Sequence, residues 1–205
     1  MKRPLLLVIS APSGAGKTTL GAMLLNEFRG MRRSVSCTTR AKRLGEVDGR
    51  DYVFLTSEQF RQRSAHGCFL ETASVHGHWY GTPRAPVQQA LKQGLDMLLI
   101  IDVQGAKRIR EMIAKSGNKN LKSAYLDVFI LPPSMRELKR RLAGRGQNDK
   151  AEMRLRLKNA MREMRAGKEF TYLVVNDTLA GAYEKLHSIV IAEHCRNLKK
   201  KYSRS

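Results

Sequence analysis

The chain has 205 residues, 38 of them Lys or Arg against 18 Asp or Glu, for a formal net charge of +20. A hydrophobic content of 42% excludes a wholly disordered chain, and the length suits one domain with small insertions and a proper core. The charge admits nucleic acid, phosphate-rich small ligands or a merely solvated basic surface, and does not choose among them.

Met1-Lys2-Arg3 followed by Leu5-Leu6-Leu7-Val8-Ile9 imitates a secretory leader, but the apolar run is too short and leads straight into a glycine-rich turn. It reads instead as a buried strand over Leu5–Ile9. The spacing of Leu20, Met23, Leu24 and Phe28 predicts a helix over Thr18–Phe28, with Gly30 as the stop signal. Residues 34–82 break the rhythm: short β-like pieces at Ser34–Thr38 and Tyr52–Leu55, turn signals at Gly45 and Asp48-Gly49, and no long helix. A helix over Arg84–Gln93 ends at Gly94, a strand follows over Met97–Ile101, and Lys115–Lys122 reads as an exposed loop. Another buried strand covers Leu126–Leu131. After Pro132-Pro133 a helix begins, where Ser134 and Glu137 have the spacing of a capping box. Residues 139–168 are mostly basic helix punctuated by Gly144, Gly146 and Gly167. A strand over Tyr172–Val175 and a helix from Leu179 to about Leu198 close the chain before a frayed basic end. Strands alternating with helices predict an α/β fold with a largely parallel sheet, and 34–82 and 139–168 read as insertions at one end of it.

Cys37, Cys68 and Cys195 are odd in number and widely spaced, against a disulfide framework or a zinc site and in keeping with a reducing compartment. His66, His76, His78, His187 and His194 show no metal-ligand spacing. No stretch approaches the roughly 20 apolar residues that cross a bilayer. A cytoplasmic protein without membrane contact is expected.

The strongest chemical signal is Ala11-Pro12-Ser13-Gly14-Ala15-Gly16-Lys17-Thr18-Thr19, lying between a buried strand and a helix. Small residues let backbone N–H groups face phosphate oxygens, and the helix N-terminus adds positive potential. Lys17 would reach the β- and γ-phosphates and Thr18 would hold Mg²⁺. The general pattern opens with Gly where this chain has Ala11. A nucleoside triphosphate is the expected ligand.

Residues 34–82 speak to a second substrate. Arg40 and Arg43 present two guanidinium forks three residues apart, suited to a dianionic monophosphate, and Tyr52 and Tyr80 could add hydroxyl donors. Glu71 is an acid after an apolar pair in a basic chain. A carboxylate accepts two hydrogen bonds from guanine, at N1–H and the 2-amino group, whereas adenine offers neither donor.

The motifs SAPSGAGKTT (10–19), SVSCTTRAKRLGEVDGRDYVF (34–54), FLE (69–71), GHWYGT (77–82), DVQG (102–105), FILPPS (129–134), RLAGRGQ (141–147) and VVND (174–177) stand in the order found in the guanylate kinases, and the chain resembles that family over residues 4–194. The resemblance implies a P-loop NTPase-type parallel sheet flanked by helices. It implies a core of 4–33, 83–138 and 169–194, a GMP-binding insertion 34–82, a helical lid 139–168 and a basic tail 195–205. It implies transfer of the γ-phosphoryl of ATP to GMP, with Mg²⁺, in purine nucleotide metabolism. Arg40, Arg43, Tyr52 and Tyr80 would hold the GMP phosphate, and Ser36, Glu71 and Thr82 would read guanine. Asp102 would support the GMP site or the metal through water. Arg145 and Arg156 would close over the ATP phosphates, and Asn176 would meet the ATP base. Lys17, Arg40, Arg145 and Arg156 are the expected catalytic residues, and closure of both insertions over the substrates is expected.

Some positions depart from the family. Ile100 stands where many relatives carry an Asp, Cys37 where a small polar residue is frequent, and Trp79 where Tyr or Phe is frequent. The loop at Lys115–Lys122 is longer than in compact bacterial relatives. The alternative from another class is a non-catalytic guanylate-kinase-like scaffold that binds phosphopeptides, against which the intact Gly16-Lys17-Thr18 argues. A nucleic-acid partner is not expected, since there is no zinc pattern, recognition helix or aromatic–basic signature. A kinase for another monophosphate is opposed by Glu71 and the 34–54 stretch.

Overall fold

Leu6–Ser10 forms strand β1, and all five of its residues are buried. In this computed structural model, which describes residues 3–75, 77–143 and 150–196, β1 is the centre of a parallel sheet. It pairs with β7 (Asp96–Ile100) on one side and β8 (Tyr125–Leu131) on the other. The outer strands are β2 (Met31–Arg33) beside β7 and β9 (Tyr172–Val175) beside β8, giving the order β2-β7-β1-β8-β9. Apolar side chains point alternately to the two faces. Leu5, Leu7 and Ile9 pack with Leu20 and Leu24 of α1 (Lys17–Glu27) and Leu186 and Val190 of α8 (Leu179–Cys195). Leu6 and Val8 pack with Val87 of α3 (Arg84–Lys92) and Ile109 and Ile113 of α4 (Val103–Lys115). Cover on both faces is why the inner strands read as unbroken apolar runs.

A second sheet of four strands has the order β4-β3-β6-β5, from β3 (Cys37–Thr38), β4 (Val53–Phe54), β5 (Phe69–Val75) and β6 (His78–Pro83). Its small core includes Phe60 of α2 (Ser57–Ala65), whose ring stacks on Phe69 with centroids 4.8 Å apart. At the other end of the site, α6 (Met135–Ala143) and α7 (Lys150–Ala166) share a core of Leu138, Leu142 and Ala160. That core starts before residue 139, the expected edge of the lid.

The α/β architecture with a parallel sheet flanked by helices is present as expected, and several local expectations change. The stretch expected to lack a long helix contains α2. It is closed by a reciprocal capping box: the Gln59 N–H donates to Thr56 Oγ1 at 3.1 Å and the Thr56 N–H to Gln59 Oε1 at 2.9 Å. The expected loop at Lys115–Lys122 contains the start of α5 (Lys119–Ala124), because Asn118 Oδ1 caps it by accepting from the Leu121 N–H. At Ser134 half of the expected box forms, with the Glu137 N–H donating to Ser134 Oγ at 3.1 Å. The Glu137 carboxylate is taken by Arg140 and Arg141 on its own helix face. The last helix ends at Cys195, and residues from 197 onward lie outside the described residues, as do Gly144 and Gly146.

Candidate active site

Between β1 and α1 the chain turns through Gly14 at φ +88° and Gly16 at φ +96°, both in the left-handed region that glycine enters without strain. A Cβ at Gly16 would lie 2.3 Å from the Asn176 side-chain nitrogen. That nitrogen donates to the Ala15 carbonyl at 2.8 Å, so the loop is pinned from behind by the residue just past β9. Gly16 has no side chain with which to cap α1, and the first-turn N–H groups of the helix are left for an anion.

The loop forms one wall of a cleft of about 300 Å³, lined on that side by Ala11, Pro12, Ser13, Gly14, Gly16, Lys17, Thr18 and Thr19. Across from it stand Ser36, Tyr52, Glu71, Tyr80 and Asp102. Residues from both sequence insertions and both sheets thus meet at the carboxyl ends of β1 and β7, the edge at which open parallel sheets bind ligands. Ala15 is fully buried beneath the loop.

Lys17 is half-buried as a residue, but its ammonium is desolvated, which lowers its pKa against the opposing pull of Glu163 and Asp102. Its hydrogen bond to the Ile101 carbonyl is long, at 3.4 Å. Thr18 is exposed on the first turn of α1. Asp102 caps α4, accepting from the Gly105 N–H at 2.9 Å, and its other oxygen faces the Gln104 amide. Ile100 lines the cleft where the family resemblance suggests an acid, and it is accommodated by a glycine: a Cβ at Gly21 would lie 2.6 Å from Ile100 Cδ1.

At the far end, the Thr82 hydroxyl donates to Glu71 Oε1 at 2.7 Å. Glu71 Oε2 is buried without a hydrogen-bond partner among the described residues. Burial pushes the Glu71 carboxyl up to about 7, against the hydrogen bond from Thr82. Arg40 is held in place by Tyr80 and Glu46: its Nε donates to Tyr80 Oη at 3.2 Å and its Nη2 to Glu46 Oε1 at 2.7 Å. Its guanidinium also lies 5.5 Å from the centre of the Tyr52 ring. The Arg43 backbone N–H donates to the second Glu46 oxygen at 2.8 Å, so one carboxylate ties the two arginines together.

Not every expected residue faces the cleft. Where the sequence suggests an ATP-base contact, Asn176 is buried with its amide given to Ala15. Arg40 and the fully buried Thr82 reach the cleft only through Tyr80 and Glu71, the exposed Arg43 side chain lies outside its lining, and Arg156 lies half-buried on α7, also outside the lining. Arg145 lies outside the described residues. Conversely, the structure adds Arg33 and Glu163 to the cleft. Arg33 donates from Nη2 to the Asp51 carbonyl at 3.1 Å, and its Nε is buried without a partner among the described residues. Glu163 lines the cleft beside the loop, and burial raises its pKa against the pull of Lys17. The signal available in the sequence was weak: an acid in the otherwise basic run from 153 to 168.

The chain matches the guanylate kinase family model over residues 2–193. It is 44% identical over 194 residues to a guanylate kinase of Clostridium perfringens, covering 95% of this chain and 86% of that one. It is 47% identical over 197 residues to a guanylate kinase of Syntrophotalea carbinolica, covering 96% and 90%. Its fold is similar to the crystal structure of guanylate kinase from Anaplasma phagocytophilum, with a TM-score of 0.77 and 32% identity over 96% of this chain and 89% of that one.

Proposed function

The chain belongs to the guanylate kinase family of nucleoside monophosphate kinases, enzymes that use ATP, and on that premise we propose how its own residues pass the γ-phosphoryl of ATP to GMP. The observation that carries the assignment is a single cleft in which Lys17 and its loop face Glu71, a buried carboxylate with one oxygen engaged and the other unpartnered among the described residues. The loop takes the triphosphate, with its N–H groups on the phosphates and Lys17 on the β- and γ-oxygens. Glu71 Oε2 takes the N1–H and 2-amino donors of guanine, while Thr82 keeps Oε1 oriented and Ser36 completes the base pocket.

Arg40, with Tyr80 and Tyr52 around it, holds the GMP phosphate, and Arg43 supplies a second guanidinium from the adjacent turn. The acceptor oxygen of a monophosphate is already anionic, so no side chain has to remove a proton from it; alignment and charge neutralisation are what the protein supplies. Arg145 and Arg156 are assigned to the ATP phosphates from the lid side. A divalent cation fits the loop end: the Thr18 hydroxyl and the Asp102 carboxylate are hard oxygen donors, and Mg²⁺ takes one or two such groups beside substrate phosphates. When bound, Mg²⁺ neutralises charge on the β- and γ-phosphates. A cytoplasmic location accords with the three free cysteines, and among the described residues no helix is long and apolar enough to cross a membrane.

The test is ADP formation from ATP and Mg²⁺ with GMP, AMP, UMP and CMP offered separately. Turnover with GMP alone supports the assignment. Absence of turnover with all four returns the chain to a phosphopeptide-binding scaffold.

A further inference from the structure

We propose that Arg33 is a further binding residue for the acceptor nucleotide: its guanidinium, anchored by the Asp51 carbonyl, takes the GMP phosphate from the side of the core sheet. The inference rests on the assignment of this side of the cleft to GMP. Arg33 is the last residue of β2, and its partner in the parallel register is Leu98 of β7. It leaves the core sheet at the edge where Ile100, Ile101 and Asp102 also line the cleft. Its Nη2 donates at 3.1 Å to the carbonyl of Asp51, the residue before Tyr52. Asp51 gives it a neutral oxygen, while the Asp51 carboxylate accepts from the Val47 N–H and from Arg50. The half-buried Arg33 thus keeps its charge for an anion, and its Nε is buried without a partner among the described residues. A buried N–H that no protein group satisfies carries a desolvation penalty, which a ligand oxygen removes.

The arginines of the insertion are placed differently. Each nitrogen of the Arg40 guanidinium already donates within the protein: Nε to Tyr80 Oη at 3.2 Å, Nη1 to the Ala41 carbonyl at 2.6 Å and Nη2 to Glu46 Oε1 at 2.7 Å. Arg43 is exposed and outside the lining. Among the described residues, Arg33 is the only arginine in the lining. A monophosphate entering beside Tyr52 and Tyr80 meets this guanidinium directly, and the planar fork suits its oxygens. Arg33 belongs to the core sheet and Arg40 and Arg43 to the insertion, so a phosphate held by both joins the two parts through the ligand.

The test is kcat/KM for GMP at saturating ATP and Mg²⁺ in wild type, Arg33→Met and Arg33→Ala, each also combined with Tyr52→Leu, with thermal melts confirming that every protein is folded. Arg33→Met keeps the aliphatic stem and loses the charge. Loss of one charged hydrogen-bond partner is expected to lower kcat/KM for GMP about 10–100-fold while the KM for ATP stays within about twofold. A mere brace on the Asp51 carbonyl acts through Tyr52, so its effect vanishes once Tyr52 is truncated. A direct contact loses the same factor with Tyr52 or with Leu in its place, to within about twofold. A loss confined to GMP that persists beside Tyr52→Leu supports the inference. Wild-type activity in the folded Arg33 variants, an equal rise in the KM for ATP, or a loss that disappears beside Tyr52→Leu overturns it while leaving the GMP assignment standing. If wild type turns over no GMP, the GMP assignment falls and this inference with it.

Discussion

Thr82 Oγ1 and Glu71 Oε1 are joined by a 2.7 Å hydrogen bond in which the hydroxyl donates, and the neighbouring Glu71 Oε2 is left buried without a partner among the described residues. One half of the carboxylate is thus fixed and the other is held ready at a desolvated position. Accepting two donors from guanine requires the ionised form, yet burial raises the carboxyl to about 7. The KM for GMP is therefore expected to rise as pH falls from 8 to 6. In Glu71→Gln, kcat/KM for GMP falls about 100-fold or more and this component of the pH dependence disappears. Parallel pH profiles of the two proteins would contradict the assignment.

The same raised value has a cost in stability. A folded-state value of about 7 against an ordinary 4.5 means that the native protein holds this proton more tightly than the unfolded chain. Stability from this group is full below pH 4.5, declines through 7 and is level above. At pH 8, Glu71→Gln is expected to be more stable than wild type by up to about 3 kcal/mol, and so to melt at a higher temperature, with the gain shrinking toward pH 5. Melting curves at pH 5 and pH 8 decide it: a gain equal at both is incompatible with ionisation as its cause.

Lys17 lines the cleft at its loop end, and Arg40 stands behind Tyr80 and Tyr52, which line it on the other side. Lys17→Ala removes the ammonium assigned to the transferring phosphoryl, and Arg40→Ala removes the guanidinium framed by Tyr80, Tyr52 and Glu46. Each is expected to lower kcat/KM by about 10²–10³-fold, the scale for losing one preorganised charge partner. The loss falls on the ATP side for the first and on the GMP side for the second. Near-normal turnover in either variant removes that residue from the mechanism.

Asn176 separates two accounts of one residue. Its amide supports the loop from behind, so Asn176→Ala leaves the buried Ala15 carbonyl without its donor and is expected to destabilise the protein by about 1–3 kcal/mol while weakening ATP and GTP alike. A contact to the adenine base would instead change the preference between those two nucleotides and leave the melting temperature alone. Thermal melts beside both KM values tell the two apart.

What was legible in the sequence was what local chemistry dictates. The Gly14-Ala15-Gly16-Lys17 turn, the unbroken apolar strands and the Ser134 cap are properties of a few adjacent residues. Thr56 and Gln59 carry an equally local capping signature, and it opens α2 in a stretch expected to lack a long helix. Ala106, Ile109 and Ile113 likewise carried the spacing of α4, which was not predicted. The accommodation of Ile100 by Gly21, the anchoring of Ala15 by Asn176 and the place of Glu163 in the same cleft as Lys17 join residues far apart in the chain. No periodicity records such meetings, because they are set by how helices dock on the sheet.

The Asn176–Ala15 bond spans 161 positions, which places a late-made residue under an early-made loop. During synthesis the phosphate-binding turn leaves the ribosome well before its support, which arrives only after β9. The nascent chain thus acquires its full grip on nucleotide late, when most of the sheet can already close around it. Fragments ending before residue 176 carry the signature of the loop without its keystone.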